Sequence, residues 1–316
     1  MAQVINDRKP SKKTNWKLVM STNVPLLMMC IPCFVLIFCF CYMPMVGTVL
    51  AFKNFKPKYG IFGSPWVGFK NFEFMFKNDT FWAVLKNTLF YNIIFLIIGR
   101  VIPPILAIAT SEVHSKKLAR VFQTTMIMPH FLSYVVVAVI VLALLGADNG
   151  VISHWYRSRG LEPIAFYSEP DYWYAILIIV RTWKTIGYDS IIYFGTITGI
   201  SDEYYEAAVI DGASRFQQIL HITLPFLKPM IIILAIMAVG SMFHASFDLF
   251  YQVPQNSGQL MKATNTIDVY VYNTLKNSNN VSMSSAVALF QSVAGFIMVV
   301  TTNQIVRIVD KDLSMF

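Results

Sequence analysis

Six stretches of this 316-residue chain stay apolar for longer than an ordinary buried helix requires, at about 24–52, 83–110, 124–146, 171–199, 227–250 and 282–307. A bilayer crossing takes about 20 predominantly apolar residues. A helix suits it because lipid offers the backbone N–H and C=O groups no water, and a helix satisfies them internally. The chain is therefore expected to be an all-α polytopic membrane protein with six transmembrane helices, several long enough to tilt or kink. Composition agrees: 13% of residues are charged, roughly half the share usual in a soluble domain. The first run is too long for the apolar region of a signal peptide and has no clear small-residue cleavage site.

A basic tail at 1–23, one membrane domain at 24–310 and a short tail at 311–316 account for the chain, with no evident repeat, low-complexity tract or long linker. An even number of spans puts both termini on one side. Lys and Arg are almost evenly divided between the two sets of loops, so the positive-inside rule separates them weakly. The cluster Arg8, Lys9, Lys12, Lys13 and Lys17 ahead of the first span places the termini in the cytoplasm. The net charge of +8 is read as topology and lipid-headgroup contact rather than nucleic-acid binding. Cys30, Cys33, Cys39 and Cys41 all fall in the first span. They read as small apolar packing residues, with no disulfide framework and no redox pair. The outside loop at about 53–82 interleaves Phe and Trp with Lys and Asn, as a segment lying at a membrane interface does.

The most specific chemistry lies between the fourth and fifth runs, in EAAVIDGASRFQQILHITLP at 206–225. Ser201 is a good N-cap, and Asp202 and Glu203 suit the positive end of the helix that follows. That helix should run through Glu206, Ala207 and Ala208 and stop at Gly212, the expected residue after its C-cap. Ser214 and Gln217 then form a capping box that opens a second helix. Pro225 and Pro229 are expected to break the pattern on entry to the fifth span. Two adjacent alanines leave a thin face against which another protein can pack, and Gly212 permits a turn that a side chain would obstruct.

Glu206-Ala207-Ala208, three residues, Gly212, nine residues, then Ile222-x-Leu224-Pro225 resembles the cytoplasmic EAA loop of binding-protein-dependent ABC-importer permeases. The likeness extends to Arg181-Thr182-Trp183-Lys184 and Gly187-Tyr188, to Gly68–Phe72 with Phe81-Trp82 and Asn87–Leu89, and to Thr266–Tyr272. These are similar to stretches of maltose- and oligosaccharide-type permeases, the last to the branch handling complex oligosaccharides and polysaccharides. The chain departs from the family at Ser241–Gly258, which lacks the Gly-Gly-Pro turn common there. The resemblance implies a MetI/MalF-like permease fold in the bacterial cytoplasmic membrane, with 201–225 as the coupling loop. Glu206, Ala207, Ala208, Asp211, Gly212, Ile222, Leu224 and Pro225 would be its ATPase-facing residues, Glu206 pairing with a basic residue of the ATPase. The implied partners are a cytoplasmic ATPase dimer, a second permease chain, an extracytoplasmic solute-binding protein and an oligosaccharide cargo. None of the fifteen glycines precedes a lysine, so the G-x-x-x-x-G-K-[ST] phosphate loop cannot be present. No cofactor is expected in this chain, ATP and magnesium belonging to the partner, and no metal-ligand spacing is visible.

Charged residues inside spans are costly and normally face the protein interior or a wet path. Arg100, Arg181, Lys184, Asp189 and Asp248 are such residues, with the uncharged Asn92, His130 and His244. A pairing of Lys184 with Asp189 is expected within or beside one helix, and the two histidines read as packing residues. Trp183, Tyr188, Asp189, Phe247 and Asp248, placed in the fourth and fifth spans, form a candidate substrate path, since aromatic faces stack on sugar rings and carboxylates accept hydroxyl hydrogen bonds. A permease for amino acids, phosphate or metals, a secondary transporter and a membrane enzyme stand as alternatives. The last two lack, respectively, an evident repeat with broken helices and a nucleophile–base–orienter set.

Overall fold

The computed structural model describes residues 16–311 and 314, so the tail up to residue 15 and most of 311–316 lie outside the described residues. Among those described the chain is helical apart from its connecting turns and one isolated antiparallel bridge between Lys53 and Trp66. Helix α1 (Trp16–Ile37) continues through a π turn and a 3-10 segment to Phe52. Then follow α2 (Lys70–Lys77), α3 (Asp79–Ser111), α4 (Lys116–Ile127), α5 (Tyr134–Leu145), α6 (Val151–Ser158) and α7 (Pro170–Thr198). The second half contains α8 (Asp202–Ile210), α9 (Arg215–Gly240), α10 (Phe247–Gln252), α11 (Ile267–Ser278) and α12 (Val281–Val309).

Among the described residues four helices are long and apolar enough to cross a membrane: Met28–Phe52, α3, α9 and α12. A fifth crossing is added if α4 with its 3-10 extension to Phe131 and α5 count as one bent span. The remaining expected span coincides with α7, whose 29 residues reach about 43 Å at 1.5 Å each. It carries Asp171, Arg181, Lys184 and Asp189, and apolarity alone does not select it.

Three expectations are corrected in detail. The stretch 124–146 is not one helix: the chain bends by 97° between Lys116–Phe131 and Tyr134–Leu145. Pro129 opens a 3-10 turn there and Ser133 caps the next helix by accepting from Val136 N–H at 3.3 Å. The stretch 227–250 is also interrupted. Helix α9 ends at Gly240, and Phe247 and Asp248 open the short α10 beyond an irregular segment. Conversely, Pro225 and Pro229 do not break α9. A π turn at Ile219–Thr223 precedes Pro225 and lets the helix run on, a widened turn being one way a helix absorbs a missing N–H.

In lipid the hydrophobic effect no longer presses helix on helix, so close packing and interhelical hydrogen bonds hold the bundle. Helices α3 and α7 form its centre, where Tyr91, Phe95, Trp173, Leu177 and Val180 pack with Val137 and Val141 of α5 and with Leu249 and Phe250 of α10. A second cluster joins Met75, Phe81, Val84 and Leu85 to Ile267 and Val287. A third joins Ala107, Tyr193, Ile197 and Leu227. Glycines set the closest approaches. A Cβ on Gly295 would stand 2.7 Å from the Gly240 carbonyl oxygen, and one on Gly187 only 1.9 Å from that of Met126. Tyr91 Oη donates to Ala263 O at 2.9 Å, and Asn87 Nδ2 donates to Lys262 O and Asn265 O. Lys262 also bonds Asp171 at 3.0 Å, a contact that holds its ammonium above the ordinary lysine range.

The first span behaves differently. All of residues 28–46 are exposed, so this apolar rod has lipid or another chain around it. The four cysteines on it are free and exposed; among the described residues no helix covers them, so they are not packed as expected. In the following loop Phe52 stacks on Trp66 at 5.7 Å and meets Phe69 and Phe72. Lys53 Nζ donates to Phe62 O at 2.6 Å and Ile61 O at 3.1 Å.

Candidate functional site: an exposed helical hairpin and two broken helices

The loop between α7 and α9 folds as its residue types dictate. Ser201 accepts from Glu203 N–H and starts α8. Its far end closes with the Gly212 N–H on Val209 O at 3.0 Å and the Ala213 N–H on Ala208 O at 2.8 Å. This paired closure is that of a Schellman end, with Gly212 in the left-handed region at φ +78°. Ser214 and Gln217 bond reciprocally in the expected capping box. Two ties hold the hairpin on the bundle: Tyr205 Oη with Thr223 Oγ1 at 2.9 Å, and the buried Gln218, which donates to Ala213 O at 3.1 Å.

Nothing in α8 is buried. Glu206, Ala207, Asp211 and Gly212 are exposed, and Ala208 and Ile222 are partly covered. Ile210 is 85% exposed, Phe216 72% and Val209 58%. Asp202, Tyr205, Glu206, Val209, Ile210 and Arg215 line a shallow depression on this surface. Leu224 and Pro225 line another, with Leu220, Lys228 and Ile231. Apolar groups flanked by carboxylates and left uncovered mark a contact surface rather than a core.

The second feature is a pair of helix breaks. Backbone at membrane depth must find partners within the protein, and at both breaks polar side chains supply them. At the first, Lys184 Nζ donates to His130 O at 2.6 Å and to Pro129 O at 3.5 Å. The expected pairing of Lys184 with Asp189 is thus replaced by a cap on broken backbone. At the second, Asn92 Nδ2 donates to Met242 O and His244 O, and Gln291 Nε2 donates to Phe243 O at 2.7 Å. Asp268 accepts from the Ala245 N–H at 2.6 Å, with His244 Nδ1 3.6 Å from its other oxygen. Asp268 was not singled out in the sequence, although it sits in the Thr266–Tyr272 stretch, because only the fold brings it to a break 23 residues away. Asp268→Ala should leave an inward N–H without its charged acceptor, an effect of about 1.5–3 kcal/mol. It should appear as a lowered unfolding midpoint of the detergent-solubilised protein, with Asp268→Asn retaining most of the stability.

The candidate path residues fall into two groups. Tyr188 stacks face to face on His130 with centroids 4.2 Å apart, and Asp189 lies within electrostatic reach of Arg100, Arg181 and His130. Phe247 stacks on Tyr251 at 4.9 Å and touches Tyr272 at the same distance, while Asp248 is exposed. Tyr134 joins the groups, lying near both Arg181 and Asp248 and bonding Ser246. Trp183 joins neither; it is 44% exposed and makes no ring or hydrogen-bond contact with them among the described residues. Where the Gly-Gly-Pro turn is missing, Gln255 and Asn256 take positive φ of 56° and 46°. Asn256 and Asn273 exchange amide hydrogen bonds that hold this strained turn. Among the described residues no group of three or more His, Cys, Asp or Glu side chains is placed to hold a metal ion.

Comparison with known proteins agrees with this geometry. Residues 105–314 match the family model described as "Binding-protein-dependent transport system inner membrane component". The polygalacturonan/rhamnogalacturonan transport system permease protein YteP of Bacillus subtilis (strain 168) is 34% identical over 287 residues, 89% of this chain and 87% of that one. Protein LplB of the same organism is 33% identical over 301 residues, 95% and 94% of the two chains. A solved structure of a bacterial alginate ABC transporter, in complex with a periplasmic protein carrying an alginate pentasaccharide, superposes with a TM-score of 0.82. It is 30% identical and covers 94% of this chain and 98% of that one. An exposed helical hairpin, polar-capped breaks in an apolar bundle and these matches lead to one statement: the chain belongs to the binding-protein-dependent transport system inner membrane components, and is a membrane-embedded permease subunit rather than an enzyme.

Proposed function

We propose that this chain carries oligosaccharides across the cytoplasmic membrane as one permease of an ATP-driven importer, receiving them from an extracytoplasmic binding protein. The observation that carries the proposal is the α8 hairpin, built by capping and a left-handed glycine, whose helix buries nothing and which leaves Tyr204, Val209, Ile210 and Phe216 exposed. Such a surface needs a partner, and a cytoplasmic ATPase dimer is the partner that an importer permease without a phosphate loop requires. Glu206, Ala207, Ala208, Asp211, Gly212, Ile222, Leu224 and Pro225 are its contact or shaping residues. The exposed stretch 28–46 supports a second permease chain, since a mainly apolar rod that the described residues leave uncovered fits a neighbouring subunit as well as lipid. In this reading α7 is the sixth crossing, its charged residues facing inward, and both termini are cytoplasmic. The oligosaccharide cargo is supported by the relatives' names and by the stacked ring pairs Tyr188–His130 and Phe247–Tyr251.

The test is reconstitution in proteoliposomes with a cognate ATPase, second permease and binding protein. Uptake of labelled oligosaccharide should require ATP and every component, and the purified chain alone should turn over no ATP above background. Uptake driven by an ion gradient without the ATPase would overturn the proposal. Within the working complex, alanine at Tyr188, Asp189, Phe247 or Asp248, and at Trp183 as the outlying member, should lower the transport rate. ATPase docking and the binding protein's own sugar affinity should stay unchanged. Wild-type rates in all five would place the path elsewhere.

A further inference from the structure

Arg181 stands at the junction of the two ring groups and is not used by the fold in the way its neighbours are. Lys184, one turn on, caps broken backbone, and Arg100 donates to Leu234 O at 2.8 Å and reaches Tyr193 Oη at 3.5 Å. The Arg181 guanidinium carbon instead lies over the Phe95 ring, 4.0 Å from its centroid. Among the described residues it has no carboxylate in ion-pair contact and no hydrogen-bond acceptor. Asp189 and Tyr134 lie only within electrostatic reach. A guanidinium held over an aromatic ring without an acceptor keeps its N–H donors unspent, and its fork matches a planar carboxylate in two-point contact. About two turns on in the same helix Tyr188 carries the stacked His130 ring, whose buried Nδ1 has no partner among the described residues. Together these groups offer a cation with unspent donors and a ring face. With Arg100, Arg181 and Lys184 against Asp189, the surroundings carry net positive charge.

We propose that Arg181 is a carboxylate-reading residue of the passage, so that the cargo is an anionic oligosaccharide of uronate units rather than a neutral one. This rests on the oligosaccharide reading above and deepens it. A uronate carboxylate entering the junction would meet the Arg181 edge while the pyranose ring lies against the Tyr188–His130 pair. A neutral sugar would leave the cation unmatched at a depth where unmatched charge is costly, which gives the passage a preference independent of the binding protein. Arg181 is here a specificity residue, held by Phe95 and biased by Asp189 without being neutralised by it.

The full reconstituted importer should be loaded with trigalacturonate or trimannuronate and, in parallel, with their carboxyl-reduced neutral counterparts. The wild-type complex should import a uronate probe in preference to its neutral counterpart. Arg181→Gln should lower the ratio of anionic to neutral uptake by about ten-fold or more, the usual scale for losing a hydrogen bond to a charged group. Arg181→Lys, which keeps the charge but not the fork, should restore part of it. Binding-protein-stimulated ATP turnover in the variants reports that the complex is assembled. An unchanged ratio in Arg181→Gln, an equal fall for both probe types, or a wild-type importer that prefers neutral oligosaccharides overturns the assignment. Import of no oligosaccharide of either kind would instead sink the broader reading of the cargo.

Discussion

Gly187→Val is expected to remove the assembled protein from the membrane almost completely, because the position leaves no room for any side chain. A Cβ there would come within 1.9 Å of the Met126 carbonyl oxygen, 2.2 Å of its carbon and 2.9 Å of the Ile127 nitrogen. All three are backbone atoms, so no rotamer change relieves the overlap. Helix α4 would have to move off α7, and it is held in place there. Lys184, three residues before Gly187, anchors the break that follows α4 through His130 O at 2.6 Å, and Tyr188, next to Gly187, stacks on the His130 ring. Separating the helices therefore uncaps backbone carbonyls at membrane depth, where each unsatisfied group costs several kcal/mol. Ordinary overpacking costs about 1–3 kcal/mol, and this site should exceed that range. Gly187→Ala should already be severe, with Gly195→Ala as the control, since a Cβ at Gly195 meets nothing within 4 Å. Membrane abundance and monodispersity in detergent decide the matter. Normal levels of a well-behaved Gly187→Val protein would show that the close approach of α4 and α7 is wrong.

The hairpin and the helix breaks differ in how far they can be read from sequence. Local chemistry is legible because its partners lie within a few residues. Ser201, Gly212, Ser214 and Gln217 take the capping roles their types and spacing require, and the apolar runs at 24–52, 83–110 and 282–307 each contain a span. The breaks were not legible. Residues 124–146 and 227–250 are apolar enough to read as straight crossings, and Pro129 looks no more disruptive than Pro225, around which the helix continues. The difference lies in tertiary partners: Lys184 caps the carbonyls released at Pro129 and His130, whereas a π turn absorbs Pro225. For the same reason Asn92, Gln291 and Asp268 read as isolated polar residues until the fold converges them on 242–245. Asp248 read as a buried charge because the span was drawn through it, and the break at Gly240 instead leaves it exposed. Trp183, chosen for its ring and its neighbours in sequence, falls on a side of α7 apart from both ring groups.

Gly212→Val is expected to weaken docking of the ATPase by about 5- to 30-fold and to lower ATP-driven uptake in proportion, while membrane insertion and abundance stay at wild-type levels. Space is not the reason, since a Cβ on Gly212 meets nothing within 4 Å. The reason is φ, +78°, a conformation that costs an L-residue about 1–2 kcal/mol and is a genuine outlier for a β-branched one. The strain can be relieved only by unwinding the closure in which Gly212 N–H bonds Val209 O and Ala213 N–H bonds Ala208 O. Unwinding it swings α8, with Glu206, Val209 and Ile210, away from the helix that starts at Ser214. The bundle feels little of the change, because α8 buries nothing of its own and its contacts with α9 through Tyr205 and Thr223 and through the Tyr204 and Phe226 rings lie away from the turn. Asn tolerates the left-handed region, so Gly212→Asn should dock nearly as wild type does, which separates backbone strain from loss of a small residue. Glu206→Ala should act more mildly than valine at 212, because it removes one exposed charge while the hairpin keeps its shape, and exposed ion pairs contribute about 0–1 kcal/mol. Affinity of the purified ATPase for membranes carrying each variant, read beside uptake, orders the three substitutions. If valine at 212 docks as tightly as wild type, the left-handed turn does not shape the contact surface, and the hairpin's exposed apolar residues must serve another partner.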